Sequence, residues 1–507
     1  MCSKRGSINL TGLDSRPSST THEGISKHSG TTGTSKMAIS VFLTTAPYSL
    51  KERYGRLAPI GSTLPSLGLL VLGASLRQAG FRVRIVDATA QGLRYAEVAE
   101  EVKRFQPDLI GISALTPSVE KAARLACLLK KIYPSVPIVI GGPHFTSRPE
   151  QTLRDYPCFD CGILGEGEKA VINLTEALAA SRTPFAVPGV VYRDGKEIIF
   201  GPPVPIISDL DSLPFPAWDL LDNFPAAYHP AIFKFKKLPS THIVSARGCP
   251  NNCIFCDNSV FGHRTRFHGS EYVLEMAQYL RKNFAIRDLI FEDDQFLVKK
   301  DRVEQICRGF SARKMNLSWS CSGRVDSVND LSLLNLMKSS GCWQINYGIE
   351  SGEEEILRFA QKATSISQIE KALRLTRRAG IQSKGYFIFG LPGETEKTMA
   401  KTIRFAKRLP LSDVSVFMLT PFPGSQIYDI AEQYGTLEGD FARMNILNVV
   451  YVPNGLTKEN LIKYQKRFAL EFYLRPGIMG SYFNRLILNS GNIFRLPKQR
   501  GSKKMTG

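Results

Sequence analysis

The chain has 507 residues, of which 43% are hydrophobic and 22% charged, a length and balance that give two or three globular domains with real cores rather than one. No run of about 18 apolar residues appears, which excludes a membrane-spanning helix, and no apolar signal core opens the N-terminus, so the expected address is cytoplasmic. The net charge of +19 suits nucleic acid, anionic surfaces or acidic substrates, and equally a solvated basic surface; ten cysteines in a long cytosolic chain favour metal binding or chemistry over a disulfide scaffold.

Residues 1–37 are rich in Ser, Thr and Gly without hydrophobic periodicity, so they are expected to be a disordered extension, with Met37 as an alternative start. From Ile39, strand candidates at 39–44, 82–87, 109–113, 136–140 and 159–164 alternate with helical patterns at 65–80, 97–105, 118–133 and 168–181. This alternation predicts an α/β domain over 38–185, a parallel sheet covered on both faces, with any ligand beyond the strands' carboxyl ends. Ser113, Leu115 and Thr116 follow the third strand there, and Gly141 and Gly142 the fourth. Each is ordinary turn chemistry by itself. Gly165 and Glu166 lead into Gly167 and Glu168 at a helix start, where acidic residues offset the macrodipole. Cys127, Cys158 and Cys161 are read as core or loop thiols.

A hairpin at 190–200 turning at Asp194-Gly195, and a Pro-rich connector at 209–218, form a linker over 186–235. Strand–helix alternation then resumes over 236–430, with strands at 242–246, 288–291, 317–321, 344–348, 382–389 and 413–419. The clearest helix is 271–283, with Ser270 expected as its N-cap. Six such units predict a partial (β/α)6 barrel with its chemistry at the carboxyl ends of the strands. The first strand runs into Cys249-x3-Cys253-x2-Cys256. Three thiolates leave one iron of a [4Fe–4S] cube open for a substrate; a zinc site completed by His263 or His268 is the competing reading.

That cysteine spacing, with aromatic Phe255 before the last Cys, resembles the radical SAM (S-adenosylmethionine) superfamily. The resemblance implies that Cys249, Cys253 and Cys256 hold a [4Fe–4S] cluster whose electron cleaves SAM to a 5′-deoxyadenosyl radical. It further implies SAM contacts from Phe255, Asp293, Asp294, Ser322, Arg324, Glu350, Gly390 and Pro421, the last seven near successive strand ends. Arg324 suits the SAM carboxylate and Glu350 a ribose hydroxyl. In the first domain, the Ser-x-Leu and Gly-Gly elements and the Gly-Glu-Gly-Glu run resemble cobalamin-binding domains. Ser113, Leu115, Thr116, Gly141, Gly142, Gly165 and Glu166 are then the expected cobalamin contacts. The family's Asp-x-His-x-x-Gly element is absent, since the first strand is followed by Thr45-Ala46-Pro47-Tyr48, so cobalt is expected to lack a histidine ligand from this domain.

The region 431–507 reads as helical with a basic tail; after Asn454 the helical stretch carries Leu461, Tyr464, Phe468, Phe472 and Leu474 as its apolar residues. The 477–496 stretch is expected to pack on the barrel, with peripheral membrane contact as its alternative. The function expected is cobalamin-dependent radical methylation of an unactivated carbon, on a small-molecule or lipid-like substrate, with a flavodoxin- or ferredoxin-type electron donor. Cyclisation or oxidation of the anaerobic magnesium-protoporphyrin ester cyclase type, nucleic-acid methylthiolation and an iron–sulfur or corrinoid sensor are the alternatives. A second three-cysteine cluster and a C-terminal RNA-binding barrel, which methylthiolation needs, are not seen, so no nucleic-acid partner is expected. No single residue is assigned the hydrogen abstraction.

Overall fold

A computed structural model describes residues 39–180, 187–231, 234–480 and 482. The expected N-terminal extension and the basic tail beyond 482 lie outside them. The first sheet contains β1 (Ser40–Thr45), β2 (Arg82–Val86), β3 (Leu109–Ser113), β4 (Ile138–Gly141), β5 (Cys161–Ile163), β6 (Val190–Asp194) and β7 (Glu197–Phe200). Their order is 2-1-3-4-5-6-7, the first five parallel and the last two an antiparallel hairpin at the edge. Helices α1 (Leu67–Gln78), α2 (Tyr95–Phe105), α3 (Val119–Ile132) and α4 (Gly167–Ala179) connect or follow these strands. With β1 between β2 and β3, the chain reverses its direction of winding there, which opens a crevice at the strands' carboxyl ends.

The second sheet orders β8 (Ser240–Ile243), β9 (Asp288–Phe291), β10 (Ser318–Gly323), β11 (Cys342–Glu350), β12 (Gln382–Phe389) and β13 (Asp413–Met418) as 8-9-10-11-12-13, all parallel. This is the expected open half-barrel. Its outer helices are α5 (Ser270–Phe284), α6 (Lys300–Ala312), α7 (Leu331–Ser339), α8 (Glu354–Phe359), α9 (Ile366–Arg378), α10 (Glu396–Arg408) and α11 (Gln426–Tyr434), with α12 (Lys458–Tyr473) closing the C-terminal side. On α12, Leu461, Tyr464, Phe468 and Phe472 are buried, and the Phe468 ring packs on Phe387 at 4.9 Å.

The structure corrects several expectations. Leu474 is 63% exposed, because α12 ends one residue before it. Gly269, not Ser270, caps α5; the Ser270 hydroxyl is drawn to Gln305 at 2.8 Å. The stretch after α11 is not continuously helical: Gly435–Leu437 pairs antiparallel with Tyr451–Pro453, a segment broken by Gly435 and Pro453. Cys127 and Cys158 are joined as a disulfide, not two separate thiols, because the fold brings α3 and the turn before β5 to a Cα separation of 5.1 Å. Cys161 stays free and buried, and burial pushes its thiol up to about 12.

Candidate active site

The strand ends of the two sheets differ in kind. In the first sheet Thr45 lies beside Ser113, and Ser113 beside Gly141, so three of the crevice strands end in one row. Gly142 follows at φ 101°. A Cβ there would stand 2.8 Å from the Ala114 carbonyl and 3.1 Å from the Ser113 hydroxyl, so only glycine lets the fourth-strand loop lie against the third. Leu115 is 48% exposed at this rim, while Thr116 is buried. The Thr116 hydroxyl is 3.2 Å from His144 Nδ1, and the His144 ring meets Phe441 edge-on at 5.1 Å. Burial pushes His144 down to about 4, leaving it a neutral, packed imidazole. Small side chains, one exposed leucine and close backbone suit a bulky organic tail held by shape, and so fit the corrinoid.

The barrel rim is built from charge. Asp293, buried at the end of β9, accepts from the Ser245 hydroxyl at 2.6 Å, and Asp294 accepts from Gly248 N–H at 2.9 Å. Both carboxylates therefore fasten the chain that leads into Cys249. Burial pushes Asp293 up to about 6. Gln295 Nε2 donates to Cys249 Sγ at 3.2 Å, and Asn251 Nδ2 does so at 3.3 Å. The Cys253 thiol is pushed down: it accepts a hydrogen bond from Cys256, and Lys362 and Arg324 favour its thiolate against the cost of burial. Among the described residues no three His, Cys, Asp or Glu side chains converge to hold one ion. Three thiols of one loop, with no fourth protein ligand beside them among the described residues, suit a cube whose thiolates bind different irons and leave one iron open. His268 is turned away, its Nδ1 3.0 Å from Asp211 and its ring stacked on Tyr272 at 4.0 Å.

Arg324, at the end of β10, is tied through Nε and Nη2 to Asp326 and through Nη2 to the Lys362 carbonyl at 2.6 Å; its Nη1 faces Cys253 Sγ at 3.8 Å. Glu350, at the end of β11 with φ 64°, pairs with Lys362 at 2.7 Å, both side chains under 10% exposed. Lys362 also sits 5.8 Å from the Phe255 ring centre. Ser322 lies next to Asn346 across β10 and β11. Gly390 and Pro421 follow the neighbouring strands β12 and β13, where Leu419 N–H donates to the Phe389 carbonyl at 2.8 Å. A cleft of about 600 Å³ opens beside Cys253 and Cys256, bordered by His263, Gln361 and Gly424. The expected SAM residues are thus gathered on the rim that carries the three cysteines.

Lys362 was not legible in the sequence, and nothing in its surroundings marks it. Gln295 carries a signal, since it continues the Asp293-Asp294 run. Glu166 has another role besides the one expected of it: its oxygens meet Arg247 at 2.8 Å and Arg266 at 2.7 Å, while Glu168 meets Arg247 at 2.7 Å. All four side chains are under 10% exposed. Arg247 and Arg266 face each other in the two-residue antiparallel pair that closes the base of the cysteine loop. One buried carboxylate from the first sheet therefore grips both ends of that loop. A pair buried this deeply is costly to break, because either partner alone is an uncompensated charge.

The comparisons with known proteins agree with this geometry. A family model described as a B12 binding domain matches residues 55–175, and one described as the radical SAM superfamily matches residues 243–406. The chain is 32% identical over 422 residues to an uncharacterized methyltransferase, PH0819, of Pyrococcus horikoshii, covering 83% of this chain and 90% of that one. It is 28% identical to the anaerobic magnesium-protoporphyrin IX monomethyl ester cyclase of Rubrivivax gelatinosus, covering 82% and 76%. Among solved structures, TsrM from Kitasatospora setae, a radical S-adenosylmethionine methyltransferase with cobalamin and a [4Fe–4S] cluster bound, superposes with TM-score 0.67 at 18% identity, covering 87% and 92%. The last likeness is one of fold.

Proposed function

This chain belongs to the B12-binding radical SAM family of enzymes, and from that premise we propose that it transfers a methyl group to an unactivated carbon of a small-molecule acceptor. Cys249, Cys253 and Cys256 would hold the cluster. Arg324 Nη1 would meet the SAM carboxylate, Glu350 the ribose, and Gly390 and Pro421 the adenine side, with Phe255, Asp293, Asp294 and Ser322 completing that rim. Ser113, Leu115, Thr116, Gly141, Gly142 and Gly165 would line the corrinoid tail. When bound, the cluster supplies an electron that cleaves SAM to methionine and a 5′-deoxyadenosyl radical, and cobalamin supplies a methyl group drawn from a second SAM.

Per turnover, one C–H hydrogen of the acceptor leaves in 5′-deoxyadenosine and a methyl group takes its place. Two SAM and two electrons from an external donor are consumed, giving methionine, 5′-deoxyadenosine and S-adenosylhomocysteine. The protein's part is placement and electrostatics. Asp293 and Asp294 hold the loop backbone still, Gln295 and Asn251 damp the charge on Cys249, and Lys362 compensates Glu350 while standing close enough to favour the Cys253 thiolate.

The observation that carries this reading is the Glu166–Arg247 joint, which fastens the corrinoid-side sheet to a residue two positions before Cys249. This ion pair supports the reading because it ties the two rims proposed for the cofactors to each other. Reduced, cofactor-loaded enzyme given methyl-labelled SAM is expected to place label in product. Product without label, with 5′-deoxyadenosine still formed, would instead favour ring closure or oxidation.

A further inference from the structure

The bore of the half-barrel carries buried polar atoms that the protein leaves unsatisfied. Side chains along β10 and β11 alternate between the two faces of the sheet. Trp319 packs with Phe291, Phe296 and Phe310, and the Tyr347 hydroxyl is 2.7 Å from Thr376 of α9; these mark the helix-covered face. Ser320, Gln344 and Asn346 alternate with them and face the bore. Ser320 lies beside Gln344, and Asn346 beside Lys384. All three are at most 4% exposed, yet Ser320 Oγ, Gln344 Nε2 and Asn346 Oδ1 have no hydrogen-bond partner.

Charged groups surround these atoms on the same face. Lys384 pairs with Asp413 at 2.8 Å, and Lys234 with Glu292 at 2.7 Å. Lys234 and Glu292 both act electrostatically on Tyr386 of β12 and on His242 of β8. From β8 to β13 the bore face is therefore mixed: these donors, acceptors and ion pairs stand among Ile290, Tyr386, Ile388 and Phe417. Buried polar groups are normally paired, and orphans on the bore face await water or a ligand that can pair them.

On the footing of the methyl-transfer reading, we propose that the acceptor is a water-soluble molecule that offers hydroxyl, amine or carboxylate groups to Ser320, Gln344 and Asn346, and is not a hydrocarbon lipid. An apolar acceptor would seal these groups away unpaired. Sites built to hydrogen-bond their substrate reject analogues lacking the matching group by about 10⁴-fold.

The test incubates reduced, cofactor-loaded enzyme with methyl-labelled SAM and a protein-free extract of the cells that produce it, then partitions the mixture between water and organic solvent. Label is expected in a new aqueous product. Gln344→Leu and the smaller change Ser320→Ala, each checked for iron and cobalt content, are each expected to lower that label by about tenfold, the worth of one hydrogen bond. Label in the organic phase would overturn the proposal while leaving methyl transfer intact. Undiminished aqueous label from both fully loaded variants would overturn the assignment of the bore. Label in neither phase, with 5′-deoxyadenosine still formed, would overturn the methyl-transfer reading itself.

Discussion

The two strand-end rims, proposed to hold one large cofactor each, are built by opposite means. The first sheet uses backbone and small side chains, with Gly142 so close to Ala114 and Ser113 that no Cβ fits. The barrel uses buried charge, with Glu350 on Lys362, Arg324 on Asp326, and carboxylates fastening the cysteine loop. A shape cradle is sensitive to volume and indifferent to ionisation; a charge-compensated rim is the reverse. Substitutions that separate these two sensitivities test whether the contrast is real.

The largest effect is expected at the cluster loop. Cys253→Ala should abolish 5′-deoxyadenosine formation and drop iron from four per chain toward background, since a cube needs each of its few thiolates, while bound cobalt stays unchanged. Iron and cobalt analysis after anaerobic reconstitution checks this, and equal loss of both metals would break the contrast. Next comes the buried ion pair. Lys362→Met leaves Glu350 as an unpaired buried charge, a change that typically costs about 3–5 kcal/mol. Glu350→Gln combined with Lys362→Met should recover most of that stability in a double-mutant cycle read by denaturant unfolding.

Gly142→Ala should mirror the cysteine variant. The positive φ of 101° and the close carbonyl predict a stability loss of about 1–3 kcal/mol and weakened cobalamin retention, with iron loading unchanged. The last effect concerns pH. Burial pushes Glu394 up to about 8; its Oε2 accepts from Gly390 N–H at 2.7 Å, and its Oε1 has no partner. A carboxyl whose folded pKa is raised stabilises the protein fully below its ordinary pKa, and that contribution is lost as pH rises toward the folded value. Tm should therefore decline between about pH 5 and 8, and Glu394→Gln should flatten the decline.

Strand–helix alternation, the half-barrel and the cysteine loop were legible because each rests on local pattern: period-two apolar runs, Gly at turns, three thiols at fixed spacing. The same holds for the Gly141-Gly142 turn, whose need for glycine is local. What escaped reading depends on pairs far apart in the chain. Lys362 matters only because Glu350 folds against it, and Glu166 only because Arg247 and Arg266 arrive from the base of the cysteine loop. Cys127 and Cys158 are likewise separated by 31 positions, and only the docking of α3 beside the turn before β5 makes them partners. Ser270 was misread as a cap because its hydroxyl had an alternative across the helix pair, in Gln305.

The account turns on two cofactors being held by one chain. Anaerobic purification with iron, sulfide and cobalamin supplied, followed by metal analysis and a visible spectrum, tests that directly. The account predicts about one cobalt and about four iron per chain, the latter from a single cube. Full iron loading with no retained cobalt would contradict it.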